Sequence, residues 1–297
     1  NCIVCHNGNV AGKNIEIEFT KPYKHAIQNY TGIHDPEENF TSGTVQKHVE
    51  CVDCHNPHQS NSIPSPGAPQ VSGANKGVKG IDAWGQQIPV STNLYEICFK
   101  CHADYNVITT LPITRHIAQL NTRLEFAASN PSYHPVEAAG KNLNVQSLLT
   151  PYTTTSKIFC TDCHNNDNSA GGKGPHGSNN RYLLEKNYTT QDYTTESSTA
   201  YALCYKCHSR SSILNDQSFK KHNKHIVNVK APCSACHDAH GISSTQGNST
   251  NNTHLINFDT SIVQTDMMGR LRFEDLGTFK GRCYLKCHNV RHEPKSY

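Results

Sequence analysis

Residues 48–58 read His48-Val-Glu-Cys51-Val-Asp-Cys54-His55-Asn-Pro-His58. Two cysteines stand three positions apart, a histidine follows the second at once, and further histidines flank the group on both sides. The same core recurs along the chain. Cys2/Cys5/His6, Cys51/Cys54/His55, Cys98/Cys101/His102, Cys160/Cys163/His164, Cys204/Cys207/His208 and Cys233/Cys236/His237 all spell C-x-x-C-H. Cys283-Tyr-Leu-Lys-Cys287-His288 repeats the pattern with one residue added. These seven groups use all 14 cysteines, so no thiol remains for catalysis or for a structural bridge.

The histidine after each pair decides the chemistry. It fills 19 of 297 positions, so seven closing cysteines would each precede one by chance with a probability of roughly 4 × 10⁻⁹. Tetrahedral zinc sites do not require that placement. Iron–sulfur clusters need four converging cysteines and leave the histidines idle. C-x-x-C-H is the attachment signature of haem c: both thiols become thioethers on the porphyrin, and the adjacent imidazole ligates the iron. The sequence therefore predicts seven haem c groups (iron) held by the 14 cysteines. The proximal ligands are His6, His55, His102, His164, His208, His237 and His288, and the longer Tyr284–Lys286 loop is taken as compatible with a covalent haem.

Hydrophobic residues make up 35% of the chain and mean hydropathy is −0.63, which is poor for a conventional core. Porphyrins would supply the missing apolar surface, and without them the chain should be largely unfolded. Residues 60–80, 165–180 and 241–253 read as loops. Asn14–Phe19 alternates like a short strand, and 114–128 suits short helices. The expected fold class is mostly irregular coil with short helices and few short strands, organised around a chain of haems.

The sites form a singlet followed by three doublets, with first-cysteine spacings of 47, 44 and 50 inside the doublets. A single heptahaem unit over 1–297 follows, with sub-modules 1–47, 48–130, 131–215 and 216–297. Leading sites are followed by a second histidine (His58, His176, His240). Trailing sites carry an aromatic residue and a lysine between the cysteines.

The formal charge of +3 and pI of about 8.2 omit the cofactors. About 14 propionates would bring the holoprotein to roughly −11, which excludes a nucleic-acid partner. No apolar stretch approaches the length of a membrane span. Haem attachment takes place outside the cytoplasm in prokaryotes, so an export leader removed before residue 1 is expected, with an extracellular or cell-surface location.

Twelve histidines lie outside the motifs, against two adjacent methionines, Met267 and Met268, which points to bis-histidine ligation and low potentials. His58 and His240 stand three residues beyond a motif histidine, so neither reaches the far face of its neighbour's haem. Spacing assigns His58 to the Cys98/Cys101 site, His240 to the Cys283/Cys287 site and His176 to the Cys204/Cys207 site. His48, His134 and His225 are assigned to the Cys51, Cys160 and Cys233 sites, and His25 or His34 to the first. His222 competes with His225. The roles of His116, His254 and His292 stay open, including ligation in a neighbouring subunit.

An upstream histidine, C-x-x-C-H-x-P-H, a loop and a second C-x-x-C-H, as in His48, Cys51–His58 and Cys98–His102, resemble the doubled-C-x-x-C-H multihaem cytochromes of metal-respiring prokaryotes. That group includes outer-surface carriers and subunits of extracellular cytochrome filaments. The resemblance implies a non-enzymatic electron carrier with stacked haems. It also implies a homopolymer, possible haem ligation from a neighbouring subunit, redox partners at the cell surface and an extracellular electron acceptor. The odd haem count and the stretched last site depart from the pattern. Two alternatives are a multihaem reductase with one open haem and a soluble component of an outer-membrane conduit. The absence of a C-x-x-C-K site and the surplus of histidines weigh against the reductase.

Overall fold

A computed structural model describes residues 2–29, 48–105 and 110–297; His34 lies outside them. Most of the backbone is irregular, and the regular elements are short because the motifs impose them. Six C-x-x-C-H groups each wind into a single helical turn. In the turns at Cys51, Cys160, Cys204 and Cys233 the first cysteine's carbonyl accepts from the second cysteine's N–H and from the histidine's N–H, at 2.9–3.3 Å. Positions i, i+3 and i+4 share one face of such a turn, so both thiols and the imidazole project together. At Cys2–His6 and within Leu94–His102 the motif sits in α-helix. The second helix is the longest among the described residues, and a capping box between Asn93 and Glu96 starts it.

The chain divides into two compact units, Asn1–Val107 with Ile158–Tyr188, and Ile108–Lys157 with Thr189–Tyr297. The first carries four motifs and the second three.

In the first unit a two-residue antiparallel ladder joins Tyr23–Lys24 to Gly177–Ser178. In the second, Ser132–Tyr133 pairs in the same way with Gly241–Ile242. Each ladder ends in a histidine on both strands: His25 beside His176, and His134 beside His240. The glycine after the second histidine is required by close approach. A Cβ at Gly177 would meet the Glu18 carbonyl oxygen at 1.8 Å, and one at Gly241 would meet the Glu125 carbonyl oxygen at 2.2 Å. Asn14–Phe19 does not form the strand its alternation suggests. Glu16–Thr20 is a 3-10 turn whose Glu18 and Phe19 are buried against that ladder. The 114–128 region does contain a short helix, Thr122–Phe126.

The second unit also holds a larger sheet. The strand Gly281–Cys287 pairs with Val290–Ser296, Val263–Gln264 and Arg272–Asp275. Its inner face packs Leu285 with Val263, Phe258, Ala235 and Ile256, and Cys236, Cys283 and Cys287 border the cluster. Apolar packing therefore converges on the cysteines.

Candidate haem-binding sites

A bond of about 2 Å from metal to imidazole nitrogen, plus about 1.1 Å from nitrogen to ring centre, sets two rings on opposite sides of one metal about 6.3 Å apart. Among the described residues five histidine pairs have that spacing: His25–His102 at 6.3 Å, His55–His176 at 6.1 Å, His134–His208 at 6.5 Å, His222–His237 at 6.3 Å and His225–His292 at 6.4 Å. Four of the five join a motif histidine to one outside any motif. Each site is thus a pair of imidazoles beside two thiols, which is the donor set of a bis-histidine haem c. Among the described residues no group of three or more His, Cys, Asp or Glu is placed to hold a metal ion.

Most of these rings are fixed through Nδ1, although that of His176 is buried without a partner among the described residues. Nδ1 donates to the Pro175 carbonyl in His25 (2.8 Å), to Ala74 in His55 (2.9 Å), to Ala239 in His134 (2.7 Å) and to His254 in His237 (2.8 Å). In His208 it donates to the Ser147 hydroxyl at 2.9 Å. Anchoring Nδ1 sets the tautomer and leaves Nε2 available as a ligand. Burial pushes His176, His208 and His237 down to about 4 and His222 to about 3, so these rings are neutral at neutral pH, as ligation requires. Burial likewise pushes the Cys54 and Cys236 thiols up to about 12, surroundings that suit an uncharged thioether.

A repeated device supplies two of the anchoring carbonyls. Asn180-Arg181-Tyr182-Leu183-Leu184 and Asn252-Thr253-His254-Leu255-Ile256 fold alike. Residues three and four of each run have positive φ, 63° and 58° in the first and 58° and 61° in the second. The asparagine side chain donates to the carbonyl four residues on, at 3.2 and 3.0 Å. This turn aims the Tyr182 carbonyl at His164 Nδ1 (2.9 Å) and the His254 carbonyl at His237 Nδ1. Thus His254 serves through its backbone.

The second cysteines of the first, fourth and fifth motifs, Cys5, Cys163 and Cys207, are held by their main chain. The Cys163 and Cys207 N–H groups each donate at 3.2 Å, to the Cys160 and Cys204 carbonyls. Their own carbonyls accept from the Glu185 N–H at 2.8 Å and the Leu149 N–H at 2.9 Å. The Cys5 carbonyl accepts from the Ala11 N–H at 2.8 Å. Cys163 and Cys207 are half-buried, whereas Cys5 is exposed together with Cys2. The first site therefore departs from the sheltered attachment that the other six share.

Neighbouring sites touch within each unit. The Cys51 and Cys2 thiols lie within electrostatic reach of each other, and so do those of Cys98 and Cys160. Cys54 lies within electrostatic reach of Cys98 and Cys101, which joins the second site to the third. In the other unit Cys204 lies within electrostatic reach of Cys233, and Cys236 within reach of Cys283 and Cys287. The four motifs of the first unit and the three of the second each run in sequence order. The contacts that join first cysteines pair 2 with 51, 98 with 160 and 204 with 233, offset by one site from the doublets read in the sequence.

The partners differ from those that spacing suggests. His25, not His58, faces His102. His176 faces His55, His134 faces His208, and His222 rather than His225 faces His237. His58 and His6 are exposed on the surface. His48 places Nε2 3.4 Å from Glu50, and His240 donates from Nδ1 to Glu125 at 2.9 Å. His116 is exposed. The sequence signal missed was local: His222-Asn-Lys-His225 has the same H-x-x-H spacing as His55–His58 and reaches two sites.

The family model for the doubled CXXCH motif matches residues 150–212. This match supports membership of the multihaem c-type cytochromes, and the C-x-x-C-H groups are sites of covalent haem c. No curated protein and no solved structure matches the chain. No helix among the described residues is long and apolar enough to cross a membrane.

Proposed function

We propose that the chain binds seven haem c groups and carries electrons along them, with no catalytic step of its own. The observation that carries this reading is the set of five imidazole pairs at the spacing of a doubly ligated iron. Haem c supplies a one-electron couple, and at the five paired sites two imidazoles per iron favour low potential and leave no position for substrate. The chain's own residues orient the rings through Nδ1, exclude water by burial, and hold consecutive sites side by side.

Polymerisation into an extracellular filament extends the reading. It draws support from the resemblance to filament-forming cytochromes and from the exposed His58, an imidazole suited to a site in a second copy. Partners at the cell surface and an extracellular acceptor belong to the same proposal.

Intact mass of the purified holoprotein should give seven haem additions, and its spectra should be wholly low-spin. A carbon-monoxide-reactive iron in the unaltered protein would favour a reductase instead. Negative-stain microscopy tests the polymer, and dispersed single particles at working concentration would overturn it.

A further inference from the structure

At the seventh site we propose that the haem is ligated by His292 and His225, while the motif histidine, His288, serves as a structural anchor. This rests on the haem-carrier reading above and adds a ligand that the C-x-x-C-H rule does not contain.

The added residue between Cys283 and Cys287 follows from the backbone that carries them. The other six motifs lie on helical turns, where positions i and i+3 share a face. Cys283 and Cys287 lie on the strand Gly281–Cys287. Strand side chains alternate, so a spacing of three would send the two thiols to opposite faces, and a spacing of four returns both to one. Leu285, between them on that face, is buried in the core cluster the two cysteines border. Tyr284 lies on the opposite face, beneath the guanidinium groups of Arg270 and Arg272 at 4.4 and 4.5 Å.

The same alternation removes His288 from the site. His288 and Asn289 form the two-residue turn of the hairpin, both at positive φ (45° and 63°), as I′ turns require. The His288 ring stacks on Tyr193 with centroids 4.5 Å apart, and its Nε2 lies 2.8 and 2.9 Å from the two Asp192 carboxylate oxygens. Its Nδ1 is buried with no partner among the described residues. In the anchored ligand histidines Nδ1 is held and Nε2 is left to bind; in His288 that usage is inverted.

His292 takes its place. It pairs directly across the hairpin with Leu285, so it projects on the face that carries both thiols. Its ring is buried and faces His225 at 6.4 Å, and its Nδ1 is held by the Tyr297 hydroxyl at 2.6 Å. His225 Nδ1 donates to the Lys221 carbonyl at 2.8 Å. Both Nε2 atoms are therefore left for the metal. His222, one helical turn before His225, faces His237 of the sixth site, so the pair clamps two adjacent sites.

Two variants of the full holoprotein test the assignment. His292→Met should keep seven haem additions by intact mass and gain the far-red charge-transfer band of a thioether-ligated ferric haem. His292→Gly should make one iron in seven bind carbon monoxide on reduction, with exogenous imidazole abolishing that binding. His288→Asn should leave carbon monoxide binding at zero wherever the seventh haem is attached. Seven attached haems with no change in either His292 variant would overturn the assignment, as would a carbon-monoxide-reactive iron in His288→Asn. Fewer than seven haems in the unaltered protein would instead count against the carrier reading.

Discussion

His55 and His176 belong to distant parts of the chain, yet their rings lie 6.1 Å apart and within 16° of parallel. The Tyr23–Lys24/Gly177–Ser178 ladder positions His176, which immediately precedes one of its strands. Removing one ring should open one iron and no other. His176→Gly should yield one carbon-monoxide-reactive haem per chain on reduction, scored by difference spectra, with imidazole reversing it. An unchanged carbon monoxide titre would rule out His176 as a ligand.

Gly177→Ala should destabilise the first unit. The added methyl would lie 1.8 Å from a main-chain oxygen that has no flexible end to yield. Overpacking of this kind costs about 1–3 kcal/mol. Gly140→Ala, where a Cβ meets nothing within 4 Å, is the matched control. Thermal midpoints followed by circular dichroism compare the two, and equal midpoints would refute the close-approach argument.

Arg115 is buried and donates to three carbonyls around the sixth site: Ser234 at 2.6 Å, Asn257 at 2.8 Å and His237 at 2.9 Å. Asp238 stands 3.4 Å away. Arg115→Met retains much of the volume but strands those acceptors and leaves the carboxylate unbalanced. A loss of roughly 3 kcal/mol is expected. Denaturant unfolding measures it, and a change below about 1 kcal/mol would show the guanidinium to be dispensable.

Glu137 gives a pH signature. Burial is the main cause of a carboxyl pushed up to about 7 from 4.5, with Arg123 only partly opposing it. The folded chain then holds a proton that the unfolded chain has released. The resulting stability is fully present below pH 4.5 and is lost as pH rises through 7. Relative to Glu137→Gln, the unaltered protein should lose thermal stability between about pH 4.5 and 8. Parallel pH profiles for the two proteins would contradict this. Partial exposure of the side chain keeps the effect modest.

How much of this was legible in the residues depends on range. The covalent sites were readable because thiols and imidazole sit within one turn, and so was a coil-rich fold starved of apolar side chains. The opposing rings were harder. Spacing from the nearest motif pointed His58 toward His102, but the ring that reaches His102 comes from His25, whose position is set by a ladder with Gly177–Ser178. Asn14–Phe19 looked extended because Ile15, Ile17 and Phe19 alternate with polar residues; packing of Glu18 and Phe19 against that ladder winds it into a turn. Short repeated strings held more than they showed. Glu-Phe at 18–19 and 125–126, His-Gly at 176–177 and 240–241, and Asn-Asn-x-(Tyr/His)-Leu at 179–183 and 251–255 mark the same construction in both units. Each is too brief to stand out until the backbone superposes their roles.

Because Cys283 and Cys287 share one face of a β-hairpin, the gap between two porphyrin-bearing thiols reports the scaffold beneath them. An extended ribbon needs an even offset to set both thiols on one face, whereas a helical turn does so with three. A genome survey keyed to the two-residue gap would register six motifs in this polypeptide and pass over Cys283 and Cys287.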